Sequence, residues 1–598
     1  MDSATKALLV LGVVIILFIW NRLPVTVVGV LTALGLWATG LVTTEEAVGG
    51  FGDPVVVFVG TLFIISESID STGVTTWAGQ AMLAKAGTSY RRLFISLAVL
   101  AAVLTSFITL NGSAAALLPL VIVVAHRIGK SPSQMLMPVI FAGSCGGVFM
   151  LMSSTVNVIV SEAAEDAGAG PIPFFAFALA GIPLLIGTVA LGWYLGPRVL
   201  PQVTPVDAPP DLGRHAETIE AHYRLTDGFY RLRVRSRSDL VGASTDDLAS
   251  DRYPDIQIIG VEKPQGGQIT DVIADDDILV VNGPSSQVSR LVVERGLAVN
   301  MTGSADAEDL LTREAGVAEV IIPPRSRLVG EEAYPGQKRD HELVILAIQR
   351  RGRDIGEGPI PLAEGDAILV HGRWSALEQL SRDRDVLLVD SPRSVRRQTV
   401  PWGPKATRAI IVLGVLVAML ASGLIPPAIA GLIAALLMIG ARVLTVPQAL
   451  RAVSWQTVVL IGSLIPLSVA IRTSGAADKI ADVIIAIVGE GQPYLLLVAV
   501  FLLTALLGQV VSNTATTLVV APIAVAAAVH ANMSVLPVLM VVAVAGSAAL
   551  LTPIATPGNL MVMKPGGYEF GDYWKLGLPV MGWWFIVAMT VVPLVWGV

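Results

Sequence analysis

Val511-Ser512-Asn513-Thr514-Ala515-Thr516-Thr517 and Leu551-Thr552-Pro553-Ile554-Ala555-Thr556-Pro557-Gly558-Asn559 interrupt apolar sequence that would otherwise run unbroken through a bilayer. Neither cluster carries a formal charge. An unpaired peptide group costs several kcal/mol in hydrocarbon, so Ser, Asn, Thr, Pro and Gly at membrane depth are tolerated only where they are buried in protein or line a wet cavity. A helix broken there exposes free N–H groups and a positive dipole end on one side and free carbonyls on the other. Anionic groups suit the first and small cations the second. For either cluster alone the structural alternative is Ser/Thr back-bonding and a Pro-Gly kink. That alternative weakens because the first half of the chain repeats both clusters.

The 598 residues are 54% hydrophobic and 15% charged, with a mean hydropathy of +0.70. These are the proportions of a polytopic α-helical membrane protein, embedded in lipid, and not of a soluble one. Of the 40 Lys and Arg, 24 lie between Val206 and Val400, which marks a soluble insert between two membrane halves. The single cysteine, Cys145, excludes an intramolecular disulfide. The N-terminal apolar run lacks a small-residue cleavage site and reads as a first membrane helix in place of a removed signal peptide. A net charge of −7 points to no nucleic acid.

Six apolar segments precede the insert: Ala7 to Trp20, Val25 to Leu41, Pro54 to Ile69, Leu93 to Ile108, Met135 to Val160 and Phe174 to Leu195. Leu110-Asn111-Gly112-Ser113 and the short run to Val124 read as a re-entrant hairpin, and the fifth segment is broken at Ser153-Ser154-Thr155-Val156-Asn157. After the insert the same order returns. Asn513 − Asn111, Asn559 − Asn157, Gly462 − Gly60 and Gly475 − Gly73 all equal 402, which argues for internal duplication. Six crossings from an inside N-terminus put the insert in the cytoplasm. An inverted second half then leaves no room for a full crossing by Ala409 to Leu420, read as interfacial or as part of one bent helix. That predicts about 11 spans, two hairpins and a mixed positive-inside record, with Arg91, Arg92, Arg442 and Arg451 on the wrong side.

The insert is duplicated too. Ser238-Asp239-Leu240-Val241-Gly242 matches Ser326-Arg327-Leu328-Val329-Gly330, an offset of 88, and Asp277 to Gly283 matches Asp366 to Gly372, an offset of 89. Each unit reads as a small α+β domain. The expected domains are 1–203 and 400–598 for the membrane halves and 204–299 and 300–399 for the insert, with linkers at Pro201 to Pro210 and Asp390 to Gly403. Alternating arginines from Arg231 to Arg237 suit either a phosphate-bearing ligand or a solvated edge strand.

Ser512-Asn513-Thr514, followed by Ala555-Thr556-Pro557-Gly558-Asn559-Leu560 and Gly577-Leu578-Pro579, resembles the divalent-anion:sodium symporter family across both membrane halves. The insert resembles two TrkA-C (RCK-C) domains, and the combination resembles the branch associated with sulfate. This implies an inverted-repeat, elevator-type, homodimeric transporter of the cell (inner) membrane with two re-entrant hairpins and a cytoplasmic α+β insert that takes a nucleotide or ion, or serves as a scaffold. It also implies Na⁺ as coupling ion and a small inorganic or dicarboxylate anion as substrate. The substrate would be held by Asn111, Gly112, Ser113, Ser512, Asn513, Thr514, Thr556 and Pro557. Sodium would be held by Asn111, Ser154, Thr155, Asn157, Asn513, Thr556 and Asn559. The first half departs from the pattern, having Leu110-Asn111-Gly112 for Ser-Asn-Thr and Ser154-Thr155-Val156-Asn157 for Thr-Pro-x-Asn.

Neutral oxygens suit a hard cation, and the absence of Lys and Arg from both hairpin clusters favours sulfate, then dicarboxylates, over tricarboxylates. A gated cation channel would need a filter such as Thr-Val-Gly-Tyr-Gly, which is absent. Proton-coupled transport, including efflux of a metalloid oxyanion, would use Glu67 or Asp70. No nucleophile–base pair, phosphate loop or metal-spaced His/Cys cluster points to an enzyme.

Overall fold

The computed structural model describes residues 2–20, 22–86, 89–202, 229–235, 238–243, 256–262, 272–282, 285–299, 315–333, 337–339, 343–351, 353–354, 360–380, 383–389, 403, 405–488 and 492–597. The chain divides into a helical unit, Met1–Pro210 with Pro404–Val598, and an insert unit, Asp211–Gly403. The sequence-derived linkers fall almost wholly outside the described residues, as do the boundaries at 203/204 and 399/400 and the residue at 300 that opens the second insert domain. Ser236 and Arg237, which end the arginine run, also lie outside them.

In the helical unit the first half comprises α1 (Ser3–Trp20), α2 (Val25–Ala38), α3 (Thr44–Gly49), α4 (Pro54–Asp70), α5 (Val74–Ala86), α6 (Tyr90–Phe107), α7 (Leu110–Arg127), α8 (Ser133–Gly146), α9 (Thr155–Asp166) and α10 (Ala178–Val199). The insert helices α11 (Ser285–Glu294) and α12 (Trp374–Leu380) come next. The second half comprises α13 (Ala406–Ser422), α14 (Pro427–Gly440), α15 (Val446–Ala452), α16 (Trp455–Thr473), α17 (Ala476–Val488), α18 (Pro493–Leu507), α19 (Asn513–His530), α20 (Val535–Gly546), α21 (Pro557–Met563) and α22 (Asp572–Trp596). Among the described residues seven candidate spans are long and apolar enough to cross a bilayer, and six shorter apolar helices accompany them. The helix bounds follow the offset of 402: α2 to α14 and α5 to α17 coincide residue for residue.

The halves pack on one another reciprocally. A Cβ on Gly29 of α2 would lie 3.2 Å from the Ser463 Cβ and 3.3 Å from Leu460 of α16. One on Gly431 of α14 would lie 2.2 Å from the Thr61 hydroxyl and 3.0 Å from Phe58 of α4. Each of these residues is its counterpart's number plus 402: 29 and 431, 61 and 463, 58 and 460. Further ties run between α10 and α22, where Trp584 Nε1 donates to the Thr188 hydroxyl at 3.0 Å and Trp583 Nε1 to the Pro183 carbonyl at 3.0 Å. Tyr568 bonds the Ser133 carbonyl and accepts from the Met137 N–H at 3.0 Å.

The structure adds detail at two of the sequence-derived segments. The segment from Leu93 to Ile108 lies in α6, which is long and apolar enough to cross a bilayer; α6 and α7 are joined by Ile108 and Thr109 alone, and Ser113 of α7 folds back to donate to the Ala101 carbonyl of α6 at 3.3 Å. The segment Ala409 to Leu420 lies in a 17-residue helix, α13, about 25 Å long at 1.5 Å per residue. It matches α1 and buries Ala409, Val412, Leu416 and Leu420 in the helical core.

In the insert unit two antiparallel sheets share one strand order. The first runs β2 (Gln257–Glu262), β3 (Ile278–Asn282), β1 (Phe229–Val234), β4 (Leu297–Val299); the second contains β8 (Leu343–Arg350), β11 (Ala367–Arg373), β5 (Ala315–Ile321), β12 (Leu387–Leu388) in the corresponding order. Their turns are built alike. Ser238 and Ser326 hydroxyls donate to the carbonyls of Arg295 and Asp385 at 2.6 and 2.8 Å. The buried Asp277 and Asp366 accept from the N–H groups of Ala274 and Ala363, both at 2.8 Å. Gly242 and Gly330 take φ of 89° and 88°, conformations only glycine adopts without strain.

His371, central on β11, is buried and its Nδ1 has no hydrogen-bond partner among the described residues. Burial pushes its pKa from 6.5 down to about 4. Below pH 6.5 the unfolded chain takes up a proton that the folded chain refuses until about pH 4, so insert stability falls as pH drops through that window. Between pH 7 and 5 the loss is expected to be on the order of 2 kcal/mol. Hydrogen exchange along β11 in the full-length protein reads it, and His371→Leu should flatten the dependence.

Candidate functional site

The sequence clusters converge on one cavity of about 530 Å³ in the helical unit, within the range of small-molecule sites. Among the described residues no Asp, Glu, Lys, Arg or His lines it. The clusters bring four helix starts to its wall, α7 with Leu110 and Asn111, α9 with Thr155, α19 with Asn513 and Thr514, and the short α21 with Pro557, beside the starts of α2 at Val25 and of α16 at Gln456. Their first N–H groups have no intrahelical acceptor. Ser154 caps α9 at the Val156 N–H (3.2 Å), Ser512 caps α19 at the Ala515 N–H (3.4 Å), and Thr556 caps α21 at the Asn559 N–H (3.2 Å). The pairing is crosswise, since α9 packs on α19 and α20 while α21 packs on α7. A Cβ on Gly558 would sit 3.1 Å from Leu110 and 3.8 Å from the Asn111 Oδ1.

Each break is held by one asparagine. Asn157 Nδ2 donates to the carbonyls of Gly147 and Met150, both at 2.8 Å. Asn559 Nδ2 donates to Ala549 at 2.9 Å and Thr552 at 3.1 Å. Both asparagines are buried, and among the described residues each Oδ1 is left without a partner, as is the Oδ1 of Asn513. A buried oxygen with no donor is costly unless a cation or ligand completes it.

Of the residues expected to touch substrate, Asn111, Ser512, Asn513, Thr514, Thr556 and Pro557 line the cavity. Gly112 and Ser113 do not line it: Ser113 is buried against α6 through its bond to Ala101. Of those expected at sodium, Ser154 and Thr155 also line the cavity, while Asn157 and Asn559 lie behind its wall. Glu67 and Asp70 are absent from the lining, where their neighbour Ser66 appears and accepts from the Thr109 N–H at the hairpin tip at 3.2 Å.

Sequence reasoning missed several residues. Ser454, Gln456 and Thr457 bring the start of α16 to the cavity, and Thr105, Ser144 and Ser547 join the lining from helix interiors and ends. Gln509 braces the second break: its Nε2 donates to the carbonyls of Ala505 and Ala548 at 2.9 Å, and its Oε1 accepts from the Leu551 N–H at 2.9 Å. A polar Gln shortly before a Ser-Asn-Thr cluster was the available signal.

Comparison with known proteins agrees with this architecture. The family model described as Citrate transporter matches residues 15–534 and again 484–597. The chain is 30% identical over 98% of both sequences to the Uncharacterized transporter YfbS of Escherichia coli (strain K12). It is 23% identical to Sodium/sulfate cotransporter 1 of Chlamydomonas reinhardtii, over 60% of this chain and 42% of that one. It is 28% identical to the L-tartrate/succinate antiporter of Escherichia coli (strain K12), over 34% of this chain and 44% of that one. With a multi-pass helical unit built around one neutral cavity, the chain belongs to the citrate transporter family, and is a membrane transporter.

Proposed function

We propose that the protein is a secondary active transporter that couples Na⁺ to uptake of a small divalent oxyanion, sulfate ahead of dicarboxylates. The observation that carries the reading is the convergence of helix N-termini and hydroxyls on a cavity with no charged lining among the described residues. Such donors bind an anion, and the unpartnered oxygens of Asn157, Asn513 and Asn559 suit a small cation beside it. A tricarboxylate would need more positive charge than this lining supplies. The names of the sodium/sulfate relatives support the same pairing of ion and anion.

With α6–α7 and α18–α19 as re-entrant hairpins, each half crosses five times: α1, α2, α4, broken α8–α9 and α10, and their counterparts. An odd count makes the second half inverted relative to the first. Placing the insert in the cytoplasm then puts every Lys and Arg of the helical unit on that side except Lys6, Arg472 and Lys479. Two of these exceptions are ion-paired, Arg472 with Asp166 at 2.9 Å and Lys479 with Asp2 at 2.5 Å. The arginines that contradicted a six-crossing count agree with this one. A homodimer moving its hairpins as an elevator, and a TrkA-C-like insert that regulates or scaffolds, complete the proposal on the strength of the sequence resemblance.

Uptake of labelled sulfate into proteoliposomes under an imposed Na⁺ gradient tests it, with succinate and citrate as competitors. Uptake driven by a proton gradient and indifferent to Na⁺ would overturn the coupling. Asn513→Ala should abolish uptake in a folded protein. Thr556→Ala should raise the Na⁺ concentration for half-maximal uptake more than Ser154→Ala does.

Asn559→Ala strips two buried carbonyls of their donor and should cost about 1–3 kcal/mol for each carbonyl left unpaired. Asn157→Ala should act alike. Thermal melting in detergent reads this loss, and the stabilisation that Na⁺ confers on wild type should shrink in both variants.

A further inference from the structure

The tips and breaks of the two halves face the cavity in matched pairs. Leu110 with Ser512, Asn111 with Asn513, Ser154 with Thr556 and Thr155 with Pro557 are each 402 apart, and all line it. The long helices α4 and α16 do not match in this way. α4 reaches the cavity only between Val59 and Ser66, in its second half, and α16 only between Ser454 and Leu460, at its start. The counterparts of these stretches, Ile461 to Ser468 and Gly52 to Phe58, are absent from the lining. Packing shows the same imbalance: a Cβ on Gly462 would lie 2.9 Å from the Phe51 ring, while one on its counterpart Gly60 would meet nothing within 4 Å. A symmetric polar core against an asymmetric wall is a core that sits at one end of its range.

One hydrogen bond marks that position. The Thr109 N–H, between α6 and α7, donates to the Ser66 hydroxyl at 3.2 Å. The matching N–H, that of Val511, turns back onto its own arm and donates to the Leu507 carbonyl at 2.8 Å. The residue 402 after Ser66 is Ser468, also a serine. It is half-buried, and its hydroxyl has no hydrogen-bond partner among the described residues. Serines within helices ordinarily back-bond, as Ser68 does to the Ile64 carbonyl at 2.7 Å and Ser463 to Val459 at 2.6 Å. Ser66 instead holds a hairpin tip, and Ser468 holds nothing.

We propose that Ser66 and Ser468 are alternate docking points for the two hairpin tips. In the state seen here Ser66 holds the Thr109 end, and the cavity lies at the cytoplasmic ends of α4 and α16. In the other state Ser468 accepts from the Val511 N–H, and Thr109 turns back onto the Thr105 carbonyl as Val511 now does onto Leu507. The wall then becomes Val55, Phe58, Ile461 and Leu464, all buried in this structure. The inference rests on the transport reading above, with the insert in the cytoplasm, and adds how the site changes side. Exchanging one hydrogen bond for its repeat counterpart keeps the two states close in energy, so that ligands can shift the balance between them.

The test reads both walls with introduced cysteines in the full-length protein, reconstituted in vesicles of defined orientation. The native Cys145 is buried, which keeps the background low. Leu62→Cys reports the cavity seen here, and Leu464→Cys and Val55→Cys report the second wall, each labelled with a membrane-impermeant thiol reagent applied from either side. Leu62→Cys should react from the cytoplasmic side and the other two from the opposite side. Adding Ser66→Ala should raise second-wall labelling relative to Leu62→Cys about three- to tenfold, the loss of one neutral hydrogen bond. Ser468→Ala should lower that ratio by a similar factor. Ser68→Ala, which removes a back-bonded hydroxyl, should leave it unchanged. A ratio within about twofold of the starting protein in either Ser66→Ala or Ser468→Ala overturns the proposal, as does a shift in the same direction in both. Second-wall cysteines that react from the cytoplasmic side, or from neither, overturn the assignment of the second wall. Opposite shifts in a protein that takes up no sulfate, succinate or citrate under any ion gradient uphold the docking and overturn the transport reading.

Discussion

In an apolar surrounding no peptide group can be left to water, and the architecture of the helical unit depends on how its two helix breaks meet that constraint. One amide nitrogen at each break gathers two freed carbonyls, Gly147 and Met150 at Asn157, Ala549 and Thr552 at Asn559. With the carbonyl side tied down, the N–H side is free to face the cavity at α9 and α21. Neither helix start could be held open there if the preceding run of carbonyls were seeking donors.

The two halves share this device but do not finish it alike. Gln509 adds three hydrogen bonds around the second break, and the matching residue in the first half is Phe107, a cavity-lining aromatic with nothing to offer a carbonyl. The second tip carries Ser512 and Thr514 where the first has Leu110 and Gly112. One break is therefore braced by a side chain that the other lacks, while both halves bring polar side chains to the cavity.

Much of this was legible in the residues. The offset of 402 locates both breaks and both asparagines, because glycine and asparagine at such points answer to backbone geometry and cannot drift freely. The repeated Ser-x-Leu-Val-Gly of the insert marks a turn whose glycine sits at positive φ in both copies. What stayed hidden depends on tertiary neighbours. Leu93 to Ile108 has the hydropathy of a crossing helix, and its packing against α7 and α8 is not legible from the residues. Ser113 reads like a site hydroxyl until the Ala101 carbonyl takes it. Thr105 and Ser547 look like ordinary back-bonding residues, yet both hydroxyl oxygens are buried without a partner among the described residues.

The reciprocal packing of α2 on α16 and of α4 on α14 bears on how the protein is made. Gly29 meets Leu460 and Ser463 only after more than 400 further residues, the whole insert among them, have been synthesised. At roughly 5–20 residues per second that is a wait of about 20–80 s. Throughout it the first half sits in the membrane with its partner-facing surfaces turned to lipid. Until then the groove that Gly29 leaves in α2 has neither Leu460 nor Ser463 to fill it.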